Sequence, residues 1–133
     1  MHSEAVVAAD LFTQMRFALA VHRMGAALDE AALPAGEVPR MATVRGARTA
    51  GLGGRAGSLE PGKAADIVVP RTDAVGLAPL RHAADAVVLA AHPGIVDTVM
   101  VAGTVVKRHG ELLADVGRAC ALAAEALEWV IAG

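Results

Sequence analysis

A chain of 133 residues fits one modest domain, and a formal net charge of −2 with dispersed arginines gives no basic stripe for nucleic acid. One cysteine excludes an internal disulfide and a cysteine-built zinc cluster, and the N-terminal MHSEAVVAADLF lacks the basic-then-apolar order of an export signal. No uncharged apolar run reaches the ~18 residues needed to cross a bilayer, so a cytoplasmic chain with no membrane attachment is expected.

Asp10 is placed to cap a first helix that runs to Gly25, with Leu11, Met15, Ala18 and His22 at helical spacing and Phe12 and Leu19 beside them. A turn at Leu33-Pro34-Ala35-Gly36 precedes a second helix over 37–50, where Pro39 falls in the first turn and removes no helical hydrogen bond. Beyond the glycine-rich 51–54 the pattern becomes extended, with strands expected at 65–69, 84–90, 96–102 and 104–107. Ala102-Gly103 and His109-Gly110 have the form of tight hairpin turns. Asp115 then caps a last helix whose stripe is Val116, Cys120, Ala123, Leu127 and Val130. Aromatic residues are only Phe12, Phe17 and Trp129, which suits a small-residue core or one packed against further material.

The stretch GSLEPGKA, 57–64, lies one residue from a phosphate-cradling loop. Three requirements of that loop fail. Ala64 stands where a magnesium-binding hydroxyl is needed, and Pro61 lacks an N–H in the middle of the supposed cradle. The β-branched Ile67-Val68-Val69 follows the lysine where a helix should begin. The segment therefore reads as a turn entering a strand, with Gly62 supplying a backbone angle closed to other residues and Lys63 and Asp66 pinning the turn.

Other candidate groups carry no chemistry on their own. His2, His22, His82, His92 and His109 include no H-x-H pair and no helical i,i+4 pair. Ser3 and Ser58 sit outside any G-x-S-x-G elbow, and Cys120 on an apolar stripe reads as a buried, inert thiol. Asp66, flanked by apolar residues, is expected to accept backbone N–H groups of its neighbouring turn, and Asp97 to act likewise.

MATVRGARTAGL at 41–52, GSLEPGKAADIVV at 57–69 and VDTVMVAGTVVK at 96–107 together resemble the amidohydrolase superfamily. The resemblance is to the C-terminal end of its cytosine deaminase-like branch, which holds guanine, 8-oxoguanine and S-adenosylhomocysteine deaminases and triazine chlorohydrolases. DLFTQMR at 10–16 is similar to the segment after the last barrel strand. What the family implies is a (β/α)₈ barrel with a metal-bound hydroxide and a small β-sandwich built from both chain ends. Its His-x-His pair, two further histidines and aspartate fall upstream of the matched segments. The aspartate would fall near Met1 or His2, neither of which is one.

The expected fold class is thus an α+β fragment: barrel-flanking helices in 1–52, sandwich strands in 53–113 and a C-terminal helix in 114–133. The resemblance implies the C-terminal portion of a metal-dependent amidohydrolase acting on carbon–nitrogen bonds of a small heterocycle. It places no catalytic residue, no metal ligand and no cofactor in this chain; zinc or iron belongs to the full-length family enzyme. Inactivity alone follows, with a homo-oligomer or an upstream amidohydrolase half as partner. A non-catalytic module that binds through its apolar surface is the alternative.

Overall fold

A computed structural model describes residues 10–25, 33–77 and 80–132. Helix α1, Leu11–Gly25, begins where the Asp10 carboxylate accepts the Thr13 N–H at 2.9 Å, satisfying one of the free donors of the first turn. Its inward side is narrower than its apolar stripe. Met15 and Leu19 are buried and Phe12 half-buried, whereas Leu11, Ala18 and His22 face water.

The second helix, α2, is one rod with a defect. An α-turn, Glu37–Arg40, leads into a π-turn, Met41–Arg45, and then into a second α-turn, Gly46–Thr49. The Gly46 N–H reaches back to the Met41 carbonyl, the i→i−5 bond of a π-bulge. A Cβ on Gly46 would lie 2.9 Å from that same oxygen, so the bulge suits glycine.

The run over 84–90, expected as a strand, is instead helix α3, Ala83–Leu89. Its apolar residues cover both faces, so neither period stands out locally. Packing decides the matter: Val88, with no exposed surface, joins Met15, Leu19, Ala35 and Val38 in one cluster. A second cluster, Leu77, Ala91 and Ile95, meets the first through Phe12. Arg16 ties the two helices together, donating to the carbonyls of Val88 at 3.1 Å and Ala91 at 2.6 Å, groups that the end of α3 leaves without helical partners.

Four strands form an antiparallel sheet in the order β1-β2-β3-β4: Ile67–Pro70, Val96–Val101, Thr104–Arg108 and Glu111–Leu112. Both tight turns appear as expected. Ala102 and Gly103 have φ of 48° and 81°, His109 and Gly110 52° and 82°, the paired positive angles of turns whose twist matches a hairpin. Pro70 ends β1 at a register break beside Val69. The last helix, α4, Val116–Ala132, starts at Asp115, whose carboxylate accepts the Arg118 N–H at 2.9 Å. Every residue from 116 to 131 is exposed. Cys120, expected to be buried, is therefore exposed too, because no described surface covers its stripe.

Candidate functional site: the 57–66 turn and the groove beside it

Glu60-Pro61-Gly62-Lys63 closes with the Lys63 N–H on the Glu60 carbonyl at 3.1 Å, and Gly62 has φ of 88°. Proline second and a positive-φ glycine third make this a type II turn. No other heavy atom lies within 4 Å of where a Cβ would sit on Gly62, so what favours glycine here is the backbone angle and not space.

Around the turn, Lys63 donates to the Ser58 hydroxyl at 2.6 Å and Ser58 donates to Glu60 at 2.6 Å, while the lysine lies 3.5 Å from the same carboxylate. The Ser58 hydroxyl, followed by the Lys63 ammonium, holds the Glu60 carboxyl below its ordinary value. The Ser58 hydroxyl thus bridges the Glu60 carboxylate and the Lys63 ammonium within the loop. The lysine side chain lies along the loop and is only 18% exposed. No helix follows this turn; β1 does.

Asp66 reaches further than its own turn. Its carboxylate accepts the Ala102 N–H at 2.7 Å, across 36 residues, and the Ala65 carbonyl accepts the Gly103 N–H at 3.0 Å. The loop is thereby joined to the tip of the β2–β3 hairpin, where Ala102 holds an angle uncommon for a residue with a Cβ. Asp97 instead accepts the neighbouring Thr98 hydroxyl at 2.8 Å and lies 3.8 Å from His109. Gly62, Lys63 and Asp66 thus occupy one loop, but Asp66 bonds the hairpin and not the lysine's turn.

Gly57, which sequence reasoning passed over, is the most confined point of the loop. It has φ of 92°, and an added Cβ would lie 2.6 Å from the Ala47 Cβ and 3.0 Å from the Thr43 carbonyl. The loop backbone therefore lies directly on α2 beside its π-turn. A shallow hollow of about 310 Å³ opens there, lined by Thr43, Ser58, Leu59 and Asp66 among others.

An apolar groove of about 240 Å³ runs between α1, α2, β1 and α3, with Leu11, Phe12, Met15, Pro39, Val68 and Val87 in its walls. Leu11 is 52% and Val68 55% exposed, and among the described residues β1 has a partner strand on one side only. Among the described residues no three His, Cys, Asp or Glu side chains converge as a metal-ligand set, and no helix is long and apolar enough to cross a membrane. His2 lies outside the described residues.

The profile of the Amidohydrolase family matches residues 2–106. A 5-methylthioadenosine/S-adenosylhomocysteine deaminase of Acetivibrio thermocellus is 34% identical over 103 residues, 77% of this chain and 24% of that enzyme. A 5'-deoxyadenosine deaminase of Methanothermobacter thermautotrophicus is 40% identical over 77% of this chain and 23% of its own length. The chain thus spans about a quarter of the curated relatives it matches. Among solved structures, an adenosine deaminase from Xanthomonas campestris with bound zinc superposes with a TM-score of 0.78 at 36% identity, over 90% of this chain and 27% of that one. An atrazine chlorohydrolase from Arthrobacter aurescens, complexed with zinc, gives 0.74 at 31% identity over 83% and 24%.

Proposed function

Because the chain belongs to the amidohydrolase family, we propose that it forms the C-terminal portion of a metal-dependent hydrolase that cleaves a carbon–nitrogen bond of a small heterocycle, in the manner of a deaminase. The observation that carries this reading is the 0.78 superposition, at 36% identity, on an adenosine deaminase over 90% of the chain. The curated relatives, named as deaminases of adenosine derivatives, support the same bond class. Triazine hydrolysis, the chemistry of the Arthrobacter relative, is the neighbouring possibility within the branch.

In this reading 1–52 carries helices that flank the family's barrel, 53–113 carries strands of a sandwich, and 114–133 is the terminal helix. The described residues do not fit a metal centre, since no ligand set converges among them. No step of the hydrolysis is therefore assigned to them, and the isolated chain is proposed to be inactive. Its contribution is scaffold. Gly62, Lys63 and Asp66 act as a structural turn: the type II bend points the chain into β1, and the Asp66 carboxylate locks the bend to the hairpin tip. The exposed single thiol suits a reducing compartment, and the cytoplasm is the proposed location.

A chimera tests this. Residues 10–132 replace the matched quarter of the Xanthomonas adenosine deaminase, and adenosine turnover and zinc content are measured. Retained zinc with turnover on adenosine or another purine nucleoside supports the reading. A folded, zinc-loaded chimera with no turnover on purine nucleosides or triazines would sink it.

A further inference from the structure

We draw no further inference here: the strongest candidate, the exposed apolar stripe Val116, Cys120, Ala123, Leu127 and Val130 along helix α4, is an unpartnered face, and nothing in the structure shows what covers it.

Discussion

Among the described residues, all the buried ones lie between Met15 and Val96, and from 97 to 131 no side chain is buried. The two regions are held by different forces. The earlier one is a small apolar core, in which α1, the first turn of α2 and α3 surround Val38 and Val88. The later one is held by ladder hydrogen bonds, by two hairpin turns at positive φ and by carboxylates on backbone N–H groups at Ala102 and Arg118. A fold can thus be shaped by turn chemistry where it cannot be stabilised by burial, and the difference fixes where substitutions should hurt.

The sharpest way to break this contrast is to put the same charge in each region. Val88→Asp places an unpaired carboxylate in the core and should cost about 3–5 kcal/mol, enough to abolish a cooperative melt. Leu127→Asp, on α4 at 59% exposure, should change stability by less than about 0.5 kcal/mol in the isolated chain. Equal losses in urea titrations would mean that α4 is packed in solution and that the contrast is wrong.

Two glycines of one loop then compare space with backbone angle. Gly57→Val must overcome both a positive φ and a 2.6 Å approach to Ala47, and should cost about 3 kcal/mol. Gly62→Val meets open space and only the angle, so about 1–2 kcal/mol is expected. Thermal melts that reverse this order would remove the contact between loop and α2.

Asp66→Asn should cost about 1 kcal/mol, since a neutral amide oxygen still accepts the Ala102 N–H but more weakly. Hydrogen exchange at Ala102 should quicken while exchange at Val88 does not. Uniform quickening would show that the hairpin and the core unfold together.

The smallest effect is that of pH. Glu60 is held below its ordinary 4.5 by Ser58 and then Lys63, and Asp10 below 3.8 by Thr13. Each lowered carboxyl contributes stability that is present above its ordinary value and lost as pH falls through the lowered one. Melting temperature should therefore be level above pH ~5 and drop below ~4, with a shallower drop in Ser58→Ala. A rise in stability on acidification would contradict both hydrogen-bond assignments.

Local signals were legible in the sequence where the physics is local. Asp10 and Asp115 cap as their residue type dictates, Ala102-Gly103 and His109-Gly110 turn as hairpin dipeptides do, and Pro61-Gly62 bends as expected. What failed depends on distant partners. AADAVVLA over 83–90 carries apolar residues on both faces around Asp85, and its helix is fixed by packing of Val88 with Met15, Leu19, Ala35 and Val38. Cys120 lies on a stripe, but a stripe is buried only where something covers it. The reach of Asp66 to Ala102 spans 36 residues, and the seating of Gly57 on α2 depends on a bulge that no spacing rule announces.

That bulge sets an unusual tolerance to lost residues. Deleting one residue from an α-helix turns everything after it by about 100°, so a deletion near Phe17 would carry Leu19 away from Val88. The π-turn at 41–45 already contains the extra residue, and deleting Thr43 would regularise α2 while Val38 stays inward and Ala47 stays against Gly57. The demand for glycine at 46 would end with the bulge. Gly46→Ala should then weaken the parent, where the new methyl meets the Met41 carbonyl, and strengthen the shortened chain, where it is an ordinary helical alanine. A single methyl group would reverse its sign with the length of one helix, making chain length itself the variable that α2 is built to absorb.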